Sequence, residues 1–130
     1  MPFAVDIQQI APVIPVANVK DAIDWYQRAL GFQSGYINRD DSDAAGDSWN
    51  YALLENNAVQ LHLSKIDAGD ATLSSPGNCY LFVKDIRGLH KHLTEMQAGV
   101  GPLQAMPWGQ LECWLHDPDG NRLVLSANEE

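Results

Sequence analysis

The chain contains an internal repeat, and this repeat restricts the possible folds more than any other feature of the sequence. Residues of the first half recur in the second half at an offset of 67, as Val16 and Val83 do. Near the end of each half, the segment Leu61–Ser64 aligns with Leu123–Ser126 at an offset of 62. A duplicated unit of this size is one supersecondary motif, and each copy alone would bury only one face of its sheet.

The first unit is predicted to be a βαβββ module over residues 6–66. Asn18 is a good N-cap for a helix that ends at Gly31, with apolar residues at helical spacing between them. A strand over 6–16 precedes the helix, and a strand over 32–39 follows it. The segment 49–64 then forms a hairpin turned by Asn56-Asn57. Between these strands, four aspartates at 40, 41, 43 and 47 predict an exposed acidic loop.

The second unit is predicted over residues 77–128, after a linker at 67–77 that is rich in Gly and Ser. A strand over 78–83 is followed by a helix that Asp85 caps, and then by a short strand near 103–105. The last element is a hairpin over 107–126, because the Asp117–Asn121 segment has turn composition and both flanks alternate in polarity. With Asp117 opposite Asn121, Leu115 is predicted to face Leu123 on an apolar side of this hairpin. Trp114 is predicted to face Val124 on the other side, which is mixed aromatic and polar. The sequence therefore predicts one α+β domain over 1–130, built from two βαβββ modules that form a cupped mixed sheet.

The amino-acid composition limits the classes of binding partner and the cellular location that we expect for this protein. The net charge of -9 argues against binding to nucleic acid or to anionic membranes, and favours cationic partners. No apolar run is long enough to span a bilayer, and residues 1–16 lack the pattern of a signal peptide, so we expect a cytoplasmic protein. The two cysteines, Cys79 and Cys113, lie in predicted strands without CxxC spacing, which favours free thiols.

Four segments in order resemble a known family. The segments Ala11–Phe32, Leu61–Ser64, Cys79–Val83 and Asp117–Asn121 look like corresponding parts of the vicinal oxygen chelate superfamily of glyoxalases, bleomycin-resistance proteins and extradiol dioxygenases. Within that superfamily, Pro107-Trp108-Gly109 and the Leu61–Ser64 segment are most similar to bleomycin-resistance proteins. The resemblance implies the paired-module fold and a homodimer, in which one chain completes the cup begun by the other.

The resemblance also implies a metal site at four positions, which in this chain are Ala11, His62, Asn78 and Val124. Ala11 and Val124 have no lone pair, and an Asn carbonyl is a poor ligand for a catalytic transition metal. One imidazole does not supply the three or four ligands that zinc, iron or manganese needs. No other catalytic motif is present, and His90, His92 and His116 are predicted to lie at the surface. We therefore predict a protein without cofactor or metal that is not an enzyme.

What remains is a ligand-binding cup. Trp108 corresponds to the tryptophan that stacks on the flat tail of the drug in bleomycin-resistance proteins, and Tyr36 falls where those proteins place an opposing ring. By strand parity, further side chains are predicted to face the cup, namely Asn50, His62, Asn78, Tyr80, Phe82, Glu112 and Trp114. For Trp114 and Phe82, packing between sheets explains the residue equally well, and His62 could equally be a core histidine.

The predicted function is sequestration of a planar aromatic and cationic antibiotic or natural product such as bleomycin, by a homodimer. Stacking would hold the flat part, and the negative charge would steer the ligand. Two alternatives stay open at this point. One is a metal-dependent lyase or dioxygenase with displaced ligands. The other is a carrier or accessory protein that holds an aromatic biosynthetic intermediate.

Overall fold

A computed structural model of the protein describes residues 3–39, 49–66 and 76–128, and it contains two βαβββ modules. The first module comprises β1 (Val13–Val16), α1 (Val19–Leu30), β2 (Gln33–Asn38), β3 (Tyr51–Asn56) and β4 (Val59–Lys65). The second comprises β5 (Asn78–Phe82), α2 (Ile86–Glu95), β6 (Gln104–Ala105), β7 (Gln110–His116) and β8 (Arg122–Asn128). The predicted α+β class is confirmed.

Each module forms a four-stranded mixed sheet, and the two sheets have the same topology. Their strand orders are β1-β4-β3-β2 and β5-β8-β7-β6, in which the first strand of each module runs parallel to the last. Val13 lies beside His62 in the first sheet, and Tyr80 lies beside Val124 in the second. These two pairs are related by the offsets of 67 and 62 found in the sequence. The register therefore confirms the repeat.

Both helices begin at the predicted caps. The Asn18 side chain accepts a hydrogen bond of 2.9 Å from the backbone N–H of Asp21, and Asp85 accepts one of 3.0 Å from Gly88. Gly31 ends α1 in the left-handed conformation, at a φ of 70° that costs a glycine little. The caps hold the two helices at equivalent places in the repeat, each against one face of its own sheet.

The core lies on the helix side of both sheets. It contains β-strand residues such as Ile14, Leu63, Leu115 and Leu123, together with Tyr26 of α1. Side chains alternate across a strand, so the residues between these ones point to the opposite side of each sheet. We call that opposite side the open face. On it Phe82 is 77% exposed and Tyr36 67% exposed.

The turn that closes the last hairpin joins the two modules. The Asn121 amide donates a 2.8 Å hydrogen bond to the Pro15 carbonyl, and its oxygen accepts one from the Gly77 N–H. The backbone N–H of Ala17 donates a 2.9 Å hydrogen bond to Asp119. The bonds to Pro15 and Ala17 connect the turn of the second module to β1 and to the residue just after it. We call Asp117–Asn121 the inter-module turn.

The first strand differs from the prediction. β1 is limited to Val13–Val16, whereas a strand over 6–16 was expected. Pro12 has no N–H to donate, so the ladder with β4 has a natural end there. Residues 3–10 have no regular secondary structure and are exposed. The predicted acidic loop and most of the predicted linker lie outside the described residues. Within the ranges that the structure describes, neither helix has the length and apolar character needed to cross a membrane.

Candidate functional site

The open face of the second sheet is arranged in rows, because β5, β8 and β7 lie side by side in register. The middle row consists of Tyr80, Val124 and Trp114, as the strand pairing shows. On one side of it the row is Asn78, Arg122 and His116, and on the other side it is Phe82, Ser126 and Glu112. The predicted pairing of Trp114 with Val124, and of Leu115 with Leu123, is confirmed.

A hollow of about 350 Å³ lies over these rows. The described residues that line it all belong to the second module, and they are Asn78, Tyr80, Met106, Trp108, Glu112, Trp114, Arg122 and Val124. Five of the nine predicted site residues therefore share one concave surface, namely Asn78, Tyr80, Trp108, Glu112 and Trp114. Their contact with a ligand stays a prediction.

Trp108 lies at the rim of the hollow because of the turn between β6 and β7. The Met106 N–H donates a 2.7 Å hydrogen bond to the Gln110 carbonyl, and the Gly109 N–H donates one of 3.0 Å to Met106. Gly109 has a φ of 88°, a value that favours glycine, and it lets the turn close directly after the indole. The Trp108 ring is 64% exposed. A large and mostly exposed ring held at a rim is suited to contact with a ligand.

Arg122 and Trp114 form one wall of the hollow. The guanidinium carbon of Arg122 lies 4.1 Å from the centre of the Trp114 ring, a cation–π contact. The contact holds the indole in place, although Trp114 is 46% exposed. It also places a positive charge over the indole of the middle row.

Glu112 is the acidic residue of the lining, and it is only 3% exposed. Its Oε2 accepts a hydrogen bond of 3.2 Å from the Ser126 hydroxyl. The same hydroxyl lies closer, at 2.9 Å, to the side-chain oxygen of Gln110. The Gln110 amide in turn donates a 2.6 Å hydrogen bond to Asn128. The hollow thus combines aromatic walls with one charged group of each sign.

The remaining predicted residues are not part of this hollow. Tyr36 and His62 belong to the first sheet, and Phe82 lines a separate groove together with Phe32, Leu81 and Leu89. For Asn50 the parity argument was wrong, because Tyr51 and not Asn50 shares the face of His62. Strand pairing puts Leu53 beside His62, and Tyr51 lies two positions from Leu53 on the same face. Asn50 therefore alternates to the helix side, with Ala52.

On the open face of the first sheet, the two ring nitrogens of His62 have different surroundings. Its Nδ1 shares a hydrogen bond of 2.7 Å with the Tyr51 hydroxyl, and the two rings meet edge to face at 5.4 Å. Its Nε2 is buried and has no hydrogen-bond partner among the described residues. A buried ring nitrogen without a partner costs free energy. Tyr51 was missed in the sequence for the same one-residue parity error that selected Asn50.

The four positions implied for a metal do not fit one. Ala11 precedes β1, and the strand neighbour of His62 is Val13, which has no donor atom either. In the second sheet the neighbour of Val124 is Tyr80. Among the described residues, no three His, Cys, Asp or Glu side chains are grouped so that they could hold a metal ion. The donor set therefore disagrees with a catalytic transition metal.

Three members of the hollow were absent from the predicted ligand-binding residues, namely Met106, Arg122 and Val124. Arg122 had a detectable signal, because it alternates with Val124 on the mixed face of the last hairpin. Met106 had none, since it lies in a connection whose path depends on the turn at Gly109.

The paired βαβββ fold defines the class of this protein. The family model described as the Glyoxalase/Bleomycin resistance protein/Dioxygenase superfamily matches residues 7–125. The chain belongs to this superfamily. Among curated protein sequences, none matches it.

Solved structures with the same fold include both enzymes and binding proteins. A glyoxalase-related enzyme from Clostridium phytofermentans is 18% identical, with a TM-score of 0.78 over 96% of this chain and 98% of that one. The bleomycin-binding protein from bleomycin-producing Streptomyces verticillus, complexed with copper(II)-bleomycin, is 21% identical, with a TM-score of 0.70 over 97% and 100%. A superfamily member from Sphaerobacter thermophilus is 28% identical, with a TM-score of 0.71 over 94% and 98%.

Proposed function

We propose that this protein binds and sequesters a planar aromatic, cationic antibiotic or natural product without converting it chemically. The observation that carries the proposal is the hollow on the second sheet, with Tyr80, Trp108 and Trp114 in its lining. Each ring that stacks on a flat ligand contributes about 0.5–1.5 kcal/mol beyond the area it buries. The similarity in fold to a bleomycin-binding protein supports the same conclusion.

The size of the hollow bears on how the ligand is held. A volume of about 350 Å³ is near the lower end of the range of small-molecule pockets. It suffices for a flat ring system, whereas a ligand as large as bleomycin would extend beyond it. A second surface is needed to cover the rest of such a ligand.

The open face of the first sheet, in a second copy of the chain, is the surface we propose for this role. It presents the ring of Tyr36, which is 67% exposed. In a homodimer, the first module of one protomer would close the hollow of its partner, giving two equivalent sites. Light scattering coupled to gel filtration tests this assembly. A monomer at micromolar concentration, with and without ligand, would contradict it.

Titration with metal-free bleomycin, followed by tryptophan fluorescence, tests the function itself. The expected result is a saturable change with one drug bound per chain. Trp108 and Trp114 are in the hollow, whereas Trp25 is buried in the core. A Trp49→Phe variant is the matched control, because Trp49 packs near Lys20 and Arg39, outside the hollow. The control should keep the change. Absence of any change at micromolar drug would remove bleomycin as the ligand.

Two further measurements separate this proposal from its alternatives. Elemental analysis of the purified protein should show less than stoichiometric iron, manganese, nickel or zinc. A stoichiometric metal would instead favour a lyase or dioxygenase. Native mass spectrometry against a panel of aromatic natural products would identify the ligand. A biosynthetic intermediate bound in preference to any antibiotic would favour the role of a cytoplasmic carrier over that of a resistance protein.

A further inference from the structure

The positions of the charged groups in the hollow indicate how a ligand is recognised. This inference rests on the proposed function. Glu112 is 3% exposed, yet it lines the hollow. Taking a carboxylate out of water costs several kcal/mol unless it is paired with a cation or well supplied with hydrogen-bond donors. The surroundings of Glu112 therefore decide what the hollow accepts.

The protein supplies this carboxylate with few donors. A serine hydroxyl has a single hydrogen, and that of Ser126 lies between the Gln110 oxygen at 2.9 Å and Glu112 Oε2 at 3.2 Å. The nearer acceptor competes for that hydrogen. Among the described residues, no lysine, arginine or histidine forms an ion pair with Glu112. The Glu112 carboxylate therefore has no positively charged partner among the described residues, on the side that faces the hollow.

Arg122 is the basic residue of the lining, but its guanidinium contacts Trp114 and not Glu112. It stacks on Trp114, and it lies four positions from Ser126 along β8, which is about 13 Å in an extended strand. Ser126 is the strand partner of Glu112. The negative charge of the hollow therefore lies in the row of Glu112 and Ser126, whereas its positive charge lies over the Trp114 ring of the middle row.

We propose that Glu112 selects a cationic group on the ligand and fixes the direction in which the ligand lies. The flat part of the ligand lies over Tyr80 and Val124 of the middle row, beside the Arg122–Trp114 pair, and its positive group lies at Glu112. The reverse orientation would put this group against Arg122 and leave the buried carboxylate unpaired. Charge-assisted contacts of this kind contribute specificity as well as affinity.

A matched pair of probes tests this assignment. N-methylquinolinium and quinoline have nearly the same planar shape, and in mildly alkaline buffer only the former is charged. We expect the wild-type protein to bind the cation about tenfold more tightly than the neutral ring. A cation also stacks better on tryptophan, so the decisive comparison is with the Glu112→Gln variant. In that variant the affinity for the cation should fall about tenfold, while the affinity for quinoline stays unchanged.

Glu95→Gln is the matched control, since it removes the same charge at the exposed end of α2. It should keep the preference for the cation. Retained quinoline binding in the Glu112→Gln variant shows that the hollow is folded and that the proposed function stands. A cation preference that survives Glu112→Gln overturns the role of Glu112 alone. If the wild-type protein binds neither probe, the aromatic hollow is not a binding site, and the proposed function falls together with this assignment.

Discussion

The phenol of Tyr26 donates a hydrogen bond of 2.7 Å to Oδ2 of Asp117, which lies 91 positions further along the chain. Both residues are buried, with 0% and 4% of their surface exposed. Asp117 also accepts hydrogen bonds from the backbone N–H groups of Asp119 and Asn121, and from the Asn121 amide. Burial raises the pKa of Tyr26 and the Asp117 carboxylate raises it further, so the phenol remains a donor at neutral pH. This contact ties α1 to the inter-module turn.

Replacing Tyr26 by Phe should reduce the free energy of unfolding by about 1.5–3 kcal/mol, because a buried carboxylate loses a donor. Urea denaturation followed by circular dichroism measures the change. Tyr36→Phe is the control, since Tyr36 is 67% exposed and its hydroxyl should contribute less than about 0.5 kcal/mol. Equal losses in the two variants would mean that the bond between the modules adds nothing to stability.

Asp119 gives the fold a pH dependence of a defined sign. Desolvation by burial raises the pKa of its carboxyl, and the nearby charge of Asp117 raises it further, while the hydrogen bond from the Ala17 N–H lowers it. The folded state therefore binds this proton more tightly than the unfolded state does. Its contribution to stability is complete below the usual Asp pKa of about 3.9, and it is lost as the pH rises through the raised value.

Asp119→Asn keeps an oxygen that can accept from Ala17 and removes the charge. At neutral pH the melting temperature of this variant should equal or exceed that of the wild type. The difference should shrink as the pH falls below about 4, where the wild-type carboxyl is also neutral. Glu95→Gln, at an exposed position, controls for the change in net charge. A variant that is less stable at neutral pH and recovers in acid would reverse the assigned sign.

The sequence was sufficient for features that depend on local periodicity. The repeat predicted two equivalent modules, and alternation in the last hairpin placed Trp114 opposite Val124, as the register confirms. The same alternation failed at Asn50, because a single-residue shift moves every side chain to the other face. Alternation along a strand also could not show that the open face of the first sheet and that of the second sheet form separate surfaces. His62 and Trp114 were expected in one cup, whereas every described residue that lines the hollow belongs to the second module.

Contacts between residues that are far apart in the sequence could not be predicted from local periodicity. The composition of Asp117–Asn121 indicated a turn, and a turn is what forms. Nothing in local pattern showed that its first residue would meet Tyr26, or that Asn121 would meet Pro15. Those contacts depend on how the two modules pack. In the same way, Gln110 competes with Glu112 for the Ser126 hydroxyl only because β7 and β8 are paired in this register.

The two cysteines should react slowly with thiol reagents in the native protein. Both are free, Cys113 is buried, and Cys79 is half-buried. Burial raises the pKa of both thiols, so less of the reactive thiolate is present at neutral pH. With Ellman's reagent we expect Cys79 to react before Cys113, and both to react rapidly after unfolding in urea. A Cys79→Ser variant identifies the first phase. Rapid native labelling of Cys113 would show that the second module opens easily.

Trp108→Ala separates binding from folding, because the side chain is 64% exposed and contributes little to the core. The free energy of unfolding should change by less than about 0.5 kcal/mol. Binding of metal-free bleomycin should weaken about tenfold, since one of the rings that would stack on the drug is lost. Trp25→Ala is the converse control: Trp25 is 8% exposed in the core, and its loss should cost about 3–5 kcal/mol of stability. Isothermal titration calorimetry together with urea denaturation gives both quantities. A Trp108→Ala protein that binds the drug as tightly as the wild type would show that the rim of the hollow takes no part in recognition.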